Sequence, residues 1–325
     1  MKSLVRALGA LVVISAATSG ASAQTSGQGW PNRPIRMVVP YTPGGYTDMM
    51  ARLVSERIAA SLGQSIVIEN KPGANAAIGT DTVAKAAPDG YTFGTVIAAH
   101  AVNATLKANL PYNTEKDFTY VSLMSVAPLI LIATPSLPAK DMKEFIALAK
   151  AKPGGLNYGS DGNGSIHHVT MEAMNASLGI SMTHIPFRGS AVSVPAMIGG
   201  QVDMVFASPP SLMGFVKSGQ ARLLATNSTT RSPLAPQMPT LAEKIPGFDF
   251  AFTVAVLAKT GTPSEVISKV NAEINRIVKV PDVIEQLRTA GVDPAGGTPE
   301  QLARALRAEK AQVTDAAARA QLKAE

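Results

Sequence analysis

The chain alternates between short apolar runs and amphipathic segments, and this alternation constrains its fold more than any other feature. The clearest unit lies at residues 31–52, where the apolar run Ile35–Val39 ends at Pro40 and a Pro43-Gly44-Gly45 turn precedes a helical pattern. Alternation of strand and helix along a chain is typical of α/β proteins. We therefore predict an α/β sandwich with largely parallel sheets.

The same alternation continues beyond this unit. Apolar residues at three-to-four spacing predict helices, and short continuous apolar runs predict strands. The predicted helices are Asp48–Leu62, Thr80–Ala87, Ala139–Lys150 and Ser264–Lys279, and the predicted strands are Ser65–Glu69, Tyr91–Ala98 and Leu129–Ala133. We interpret the apolar faces of these helices as core and not as cofactor sites.

Residues 1–23 have the pattern of a secretory signal peptide. Lys2 and Arg6 precede the apolar stretch Ala7–Ala17, and Ala21-Ser22-Ala23 is a cleavage signal. We predict export, with a mature chain that begins at Gln24. The chain has no cysteine, which excludes a processed lipoprotein cysteine, disulfides and thiol catalysis.

About 300 residues remain after cleavage, more than one hydrophobic core usually supports, so we predict two lobes. If the chain crosses between the lobes twice, extended segments should mark the crossings. Ser125–Pro128 and Phe250–Ala255 are the candidates. These crossings place residues 24–127 and 254–325 in lobe one and residues 128–253 in lobe two.

Charge and histidine content exclude several function classes. Cleavage would remove two basic residues and no acidic ones, which lowers the formal net charge from +6 to +4. The basic residues are scattered without interleaved aromatics, a pattern that argues against nucleic acid binding. His167 and His168 are adjacent and point in different directions, and His100 and His184 are the only other histidines. We therefore expect no metal site and no cofactor.

The Pro43-Gly44-Gly45 corner should leave backbone amides uncovered at the start of a helix. Thr47 is a candidate helix cap, and Asp48 lies in the first helical turn. Three other loops also combine flexible backbone with Ser or Thr before a helix: Tyr158–Ser165, Pro186–Ser190 and Ala207–Ser211. Each loop alone is explained by helix capping, but four together indicate a cleft lined by helix starts. Such clefts bind anions.

The chain resembles the periplasmic receptors of tripartite tricarboxylate transporters, known as the Bug or TctC family. The resemblance spans about residues 30–310. It depends on Trp30-Pro31-x-x-Pro34-Ile35-Arg36, Val39-Pro40-Tyr41-x-Pro43-Gly44-Gly45-x-x-Asp48, Val67-Ile68-Glu69-Asn70-Lys71-Pro72-Gly73, Ala87-Pro88-Asp89-Gly90-Tyr91-Thr92, Asn163-Gly164-Ser165-x-x-His168, Ile185-Pro186-Phe187-Arg188-Gly189 and Gly199-Gly200-Gln201-Val202-Asp203.

This resemblance implies the type II periplasmic-binding-protein fold, in which two α/β lobes with a hinge close over a small carboxylate in the cleft between them. It implies a monomeric receptor without catalytic residues that serves membrane transporter subunits. The ligand-binding positions that it implies, together with the helix starts above, are Tyr41, Thr42, Gly44, Gly45, Tyr46, Thr47, Asp48, His100, Ser160, Asn163, Gly164, Ser165, His168, Arg188, Ala207 and Ser208.

The chain also departs from the family pattern. Ala207 stands where relatives often carry an acid, which disfavours amino-acid ligands, and Tyr46 replaces a small residue. Thr253-Val254-Ala255 replaces an aromatic-aromatic-Gly segment, and the tail Asp315–Glu325 matches poorly and is a candidate for disorder.

Tyr46 suggests an aromatic wall for a flat ligand, although a solvent-facing loop tyrosine is an equal alternative. Arg188 could bind both oxygens of a carboxylate, although a structural ion pair is its alternative. We expect an aromatic dicarboxylate such as terephthalate, with a citrate-like acid or nicotinate as alternatives. An exported α/β hydrolase and a ligand-sensing partner are the rival classes, but G-x-S-x-G, H-E-x-x-H and P-loop motifs are all absent from the sequence.

Overall fold

The computed structural model describes residues 29–231, 236–250 and 252–322. The predicted signal peptide and the predicted mature start at Gln24 lie outside these residues. The described strands are β1 (Ile35–Val39), β2 (Ile66–Asn70), β3 (Thr92–Ile97), β4 (Phe118–Ala127), β5 (Ile130–Ala133), β6 (Asn157–Ser160), β7 (Thr183–Pro186), β8 (Met204–Ala207), β9 (Arg222–Thr226), β10 (Phe252–Lys259) and β11 (Asp293–Pro294).

The helices alternate with these strands, as the apolar periodicity predicts. They are α1 (Tyr46–Leu62), α2 (Ala77–Ala84), α3 (Ala99–Leu106), α4 (Met142–Ala151), α5 (Ile166–Leu178), α6 (Ser190–Ile198), α7 (Pro209–Lys217), α8 (Ser264–Ile277), α9 (Pro281–Thr289) and α10 (Pro299–Arg319), with a 3-10 turn at Leu241–Glu243. The predicted helices and strands are confirmed, with their ends shifted by a few residues.

The strands form two separate sheets, one in each lobe, which confirms the two-lobed α/β fold. The first sheet has the order β11-β4-β10-β3-β1-β2, and the second has the order β7-β6-β8-β5-β9. The expectation of largely parallel sheets is wrong. β1 pairs in parallel with β2 and β3, but β10 runs antiparallel to both β3 and β4. In lobe two, β5 is antiparallel to its neighbours β8 and β9.

This mixture follows from the way the chain crosses between the sheets. β4 ends at Ala127 in the first sheet, and β5 begins at Ile130 in the second. The return segment leaves β9 and enters the first sheet as β10, between β3 and β4. A strand that returns from the other lobe lacks the helical crossover of a parallel β-α-β unit, so it is free to pair antiparallel.

Asn227 joins the two crossing segments. Its backbone N–H donates to the carbonyl of Leu129, and its side-chain oxygen accepts from the Leu129 amide at 2.8 Å. Its side-chain nitrogen donates to the carbonyl of Phe250 at 2.5 Å. Asn227 is fully buried. A single amide side chain therefore fixes the outgoing and the returning strand against each other.

The C-terminal helix connects the lobes on their other side. α10 packs on α3 and β4 of lobe one and also on α5 of lobe two. The expectation of a disordered tail from Asp315 onward is wrong as far as Leu322, because the helix continues through Arg319 and Leu322 packs against the core. Val313, Ala316 and Ala317 supply its buried face.

Candidate functional site

Two connected cavities lie between the lobes. The smaller one, called the inner cavity, has a volume of ≈20 Å³, which is room for about one water molecule. Its walls come from the loops before α1, α6 and α7, the loop after β6 and the start of β10. The residues that line it are Tyr41, Thr42, Gly45, Tyr46, Thr47, Asp161, Gly189, Ser190, Ser208 and Phe252.

The larger one, called the outer cavity, has a volume of ≈520 Å³ and shares Tyr41 and Asp161 with the inner cavity. It is lined by Pro40, Tyr41, Pro72, Gly73, Ala74, Asn75, Ala76, Ile78, Lys107, Asp161, Gly162, Asn163, Pro186, Phe187 and Arg188. Arg188 from lobe two and Lys107 from lobe one are its two cations. Neither has a carboxylate within ion-pair distance in the described part of the chain.

The corner before α1 differs in part from the sequence expectation. Gly45, not Thr47, is the N-cap residue, so the prediction of a Thr47 cap is wrong. The Gly44 amide is not uncovered, because it donates to Asp48 Oδ2 at 3.0 Å. Asp48 also accepts from Arg52 Nε at 2.9 Å and Asn70 Nδ2 at 2.9 Å. Asp48 thus supports the corner from within lobe one.

The electrostatics of Asp48 agree with this structural role. Burial opposes ionisation of the carboxyl group, but the hydrogen bonds from Arg52, Asn70 and Gly44 outweigh it and hold the pKa of Asp48 below its usual value. The side chain is 4% exposed, so its charge is satisfied inside the protein and not by a ligand.

The next amides along the chain remain available. In the described residues, no hydrogen bond to a protein acceptor is recorded for the backbone N–H groups of Gly45, Tyr46 and Thr47. All three residues line the inner cavity. The first N–H groups of a helix have no partner within the helix and carry its positive dipole end. The start of α1 is therefore suited to a carboxylate.

Tyr46 is not a solvent-facing tyrosine. It is 4% exposed, and its hydroxyl shares a 2.7 Å hydrogen bond with Ser125 Oγ. Its ring centroid lies 5.5 Å from that of Phe252 at a tilt of 42°. Burial, only partly offset by the Ser125 hydrogen bond, raises the pKa of Tyr46, which therefore stays neutral. Tyr46 and Phe252 form one aromatic wall of the inner cavity.

The Ser160–Ser165 loop of lobe two is held mainly by its own hydrogen bonds. Ser165 caps α5 by accepting from the His168 amide at 3.2 Å, and the Gly164 amide donates to His168 Nδ1 at 3.1 Å. Ser160 Oγ accepts from the Gly162 amide at 3.1 Å and lies 2.6 Å from His184 Nε2. Ser160 and His168 thus shape the loop, and neither lines the inner cavity.

Asn75 connects the two lobes, and sequence reasoning missed it. Its side-chain nitrogen donates to the carbonyl of Gly164 at 2.6 Å and to Asn103 Oδ1 at 3.1 Å. Ala74, Asn75 and Ala76 have φ values of 49°, 51° and 70°, so three consecutive non-glycine residues are left-handed. Such strain is often stored at functional sites. An asparagine after Gly73 was the available signal, because Asn tolerates this conformation better than most residues.

The remaining predicted residues divide between the cavities and the core. Asn163 lines the outer cavity, and with Gly164 and His168 it also lines a third cavity of ≈40 Å³ next to Lys107 and Leu322. Ser208 lines the inner cavity, whereas Ala207 is fully buried beside it in β8.

His100 lies in the core of lobe one and lines none of the three cavities, so its expected cleft-facing position is not found. Its Nε2 lies 3.1 Å from the carbonyl of Thr114, and its ring stacks on Tyr112 and meets the edge of Phe118. Burial lowers the pKa of His100 to about 4, against the opposing hydrogen bond to Thr114.

The described residues contain no group of three or more His, Asp or Glu side chains placed to hold a metal ion. In the same residues, no helix combines the length and the apolar character needed to cross a bilayer.

Comparison with known proteins agrees with this geometry. The model of the tripartite tricarboxylate transporter family receptor, TctC, matches residues 50–318. The chain belongs to the TctC family. BugT of Bordetella pertussis is 36% identical over 295 residues, which cover 90% of this chain and 90% of BugT. TctC-family proteins are solute-binding receptors and not enzymes, so the hydrolase alternative is wrong.

Solved TctC-type structures share the fold along nearly the whole chain. Rpa4515 of R. palustris, solved with adipate, superposes with a TM-score of 0.87 at 33% identity, covering 90% of this chain and 98% of that one. MatC of Rhodopseudomonas palustris, solved with bound malate, gives a TM-score of 0.84 at 31% identity, covering 88% and 99%. The chain is therefore a periplasmic solute-binding receptor of the two-lobed TctC type.

Proposed function

We propose that the chain captures a small dicarboxylate between its lobes and delivers it to the membrane subunits of a tripartite tricarboxylate-type transporter. The observation that carries this proposal is the pairing of available amides at the start of α1 with unpaired cations in the adjoining cavity. One ligand carboxylate would accept hydrogen bonds from Tyr46 and Thr47, and the other would pair with Arg188. Adipate, present in the Rpa4515 structure, has such a two-ended chemistry.

Ligand capture requires the lobes to separate and close again. The inner cavity of ≈20 Å³ is too small for a carboxylate to enter while Asn75 bridges to Gly164. A ligand that touches both lobes only when they are closed shifts the equilibrium toward closure. We place the hinge at the two segments that Asn227 joins, and keep lobe one at residues 24–127 and 254–325 and lobe two at residues 128–253. β10 pairs with lobe one from Phe252 onward, so the proposed second boundary falls two residues inside the start of that strand.

We propose further that the favoured dicarboxylate is aromatic, with terephthalate as its simplest example. The rings of Tyr46 and Phe252 on the inner cavity support this, because an aromatic ring stacked on them would gain about 0.5–1.5 kcal/mol beyond its burial. Tyr46→Leu should weaken terephthalate binding more than adipate binding, whereas Tyr46→Phe should leave the ratio unchanged. Equal losses for both acids would contradict the aromatic preference.

A ligand screen of the mature protein, residues 24–325, tests the proposed function. Adipate, malate, citrate, nicotinate and terephthalate are each added, and the melting temperature is measured. A ligand that binds only the native state raises this temperature, and the rise grows with concentration relative to Kd. We expect dicarboxylates to give the largest rise. If no carboxylate raises the melting temperature, the proposed function is wrong.

We also propose that the receptor is a periplasmic monomer exported through the signal peptide at residues 1–23. Size-exclusion chromatography with light scattering should give the mass of a single mature chain. N-terminal sequencing of the exported protein should begin at Gln24, and an intact Met1 would contradict export by cleavage.

A further inference from the structure

A buried carboxylate that the sequence did not single out lies at the junction of the two cavities. Asp161 follows β6 and lines both the inner and the outer cavity. Its side chain is only 6% exposed. A second carboxylate brought close to it would be repelled, and this repulsion is strong where little water screens it. Asp161 therefore restricts which ligands fit.

Asp161 accepts hydrogen bonds from neighbouring side chains, but no lysine or arginine of the described residues forms an ion pair with it. Ser190 Oγ donates to Oδ2 at 2.7 Å, and Ser193 Oγ donates to Oδ1 at 3.2 Å. In the described residues, no lysine or arginine nitrogen lies within 4.0 Å of this carboxylate, since its one ion-pair contact is with a histidine.

That histidine does not neutralise the charge. His167 Nδ1 lies 3.3 Å from Asp161 Oδ2, and its side chain is 1% exposed. Burial lowers the pKa of His167, although the Asp161 charge opposes this, so the ring is neutral at pH 7. Neither ring nitrogen has a hydrogen-bond partner among the described residues. A neutral ring at this distance leaves the negative charge facing the cleft.

Asp161 also has unused capacity to accept hydrogen bonds. A carboxylate offers about four acceptor positions, and the two serine hydroxyls occupy two of them. The inner cavity is also lined by Gly45, Tyr46 and Thr47, whose amides suit an anion. The inner cavity therefore offers amides that suit an anion and a carboxylate that suits a hydrogen-bond donor. A ligand that satisfies both carries an acidic group and a donor group close together.

We propose that Asp161 selects ligands that carry a hydrogen-bond donor, an ammonium or a hydroxyl group, beside the carboxylate bound at the start of α1. The inference builds on the proposed carboxylate-receptor function and narrows the ligand class: within the aromatic dicarboxylates it favours a donor-substituted acid over terephthalate itself. It also replaces the expectation from Ala207 that amino-acid ligands are disfavoured. Relatives often carry an acid at position 207, where this chain has alanine. In this chain Asp161 supplies an acid to the inner cavity, which the neighbouring Ser208 also lines.

Matched ligands test the inference by isothermal titration calorimetry. Succinate, L-malate and L-aspartate share one carbon skeleton and differ in carrying no donor, a hydroxyl or an ammonium group. Terephthalate and 2-hydroxyterephthalate form an aromatic pair. In the wild type, the best donor-bearing acid should bind at least about tenfold more tightly than the plain diacid of its series, because buried acceptors discriminate against ligands that leave them unpaired.

Asp161→Asn should reduce this ratio to about threefold or less, mainly by tightening the plain diacids, since the substitution removes the charge and keeps the shape. The melting temperature without ligand serves as the folding control. A preference for aspartate would identify an ammonium ligand, and a preference for malate would identify a hydroxy acid; both support the inference.

Three results would overturn it in different ways. If plain and donor-bearing acids bind the wild type equally, the inference is wrong while the receptor function stands, and this outcome does not depend on the variant folding. If the ratio is the same in the wild type and in a folded Asp161→Asn, Asp161 is not its source. If none of the five acids binds while another acid of the ligand screen does, the inference is wrong and the receptor function stands; if no acid of either set binds, both are wrong.

Discussion

At the start of α1, the amides of Gly45, Tyr46 and Thr47 have no protein acceptor among the described residues. Before α5, by contrast, the amides of Gly164 and Ser165 donate to His168 Nδ1 and to the carbonyl of Gly162. The difference comes from where each lobe places its polar side chains. In lobe one, Asp48 turns inward and binds only Gly44, Arg52 and Asn70. In lobe two, Ser165 and His168 bind the loop itself. The two glycine-rich helix starts thus differ in the backbone amides that they leave available.

On the proposed function, lobe one binds the first carboxylate, and lobe two contributes the contact to the second carboxylate and the selectivity. Lobe one provides available amides and Lys107, and lobe two provides the carboxylate of Asp161 and the exposed guanidinium of Arg188. Substitutions at these groups should weaken the binding of the tightest acid from the screen to different extents.

Blocking the start of α1 should have the largest effect. A Cβ on Gly45 would meet only the Thr42 carbonyl oxygen, at 3.8 Å, so a side chain is compatible with the backbone there. Gly45→Leu would place its side chain at the inner cavity and should weaken binding by about 100-fold or more, measured by calorimetry. Gly214→Leu on α7 is the matched control, because a Cβ there meets nothing within 4 Å and Gly214 is exposed. Unchanged affinity in Gly45→Leu would refute the site at α1.

Removing the lobe-two cation should have the next largest effect. Arg188 is exposed and forms no ion pair with the described residues, so Arg188→Ala should leave the melting temperature unchanged. Loss of a charge-assisted contact to the second carboxylate should weaken the binding of dicarboxylates by about 10- to 30-fold. The binding of monocarboxylates should weaken much less. Arg304→Ala on α10 changes the net charge equally at an exposed position outside the three cavities and should have no effect. Equal losses in both variants would indicate a general charge effect.

Breaking the contact between the lobes should have a smaller effect. Asn75→Gly removes the hydrogen bonds to Gly164 and Asn103 and tolerates the left-handed backbone. We expect about fivefold weaker binding, because one to two hydrogen bonds of the closed state are lost at about 1 kcal/mol or less each. Ala74→Gly is the control for backbone freedom, since Ala74 is also left-handed with φ 49° but has no such side chain. If the two variants bind equally, Asn75 does not stabilise closure.

The sequence predicted the parts of this molecule that depend on local patterns. Apolar periodicity is sufficient to locate α1 and α8, because each helix buries a stripe of its own residues. The antiparallel placement of β10 between β3 and β4 was not predictable in this way. It depends on a pairing between segments more than a hundred residues apart, and no local pattern encodes its direction.

The candidate site shows the same division. Glycines and hydroxyl residues identified the loops that surround the cleft, but not which side chains enter it. Asp48 lies in the first turn of α1, directly after one such loop, and Asp161 lies in another loop. Asp48 is bound to Arg52 inside lobe one, whereas Asp161 lines both cavities. The side chain of His100, which was expected to face the cleft, packs against Tyr112 and Phe118 in an aromatic cluster. Side-chain direction is set by packing partners from distant elements, and one sequence does not contain that information in readable form.

The last variant should change stability without changing affinity, which separates the scaffold of lobe one from its binding surface. Glu309 on α10 is buried, accepts a hydrogen bond from Thr253 and has no partner for its second oxygen in the described residues. Burial raises the pKa of Glu309 to about 7, while the hydrogen bond from Thr253 opposes the shift. The folded state therefore holds this proton more tightly than the unfolded chain does. The stability that this proton confers is complete below the usual value of 4.5 and is lost as the pH rises through about 7.

Glu309→Gln keeps the shape and removes the titration, so its melting temperature relative to the wild type should rise by a few degrees between pH 5 and pH 8. Glu56→Gln on α1 is an exposed control in the same lobe and should show a constant difference. Ligand affinity at pH 7 should be the same in all three proteins, because Glu309 lines none of the three cavities. A pH-independent gap for Glu309→Gln would show that folding does not raise the pKa of this carboxyl group. A changed affinity would show that the contact of Glu309 with β10 affects the anion-binding surface at α1.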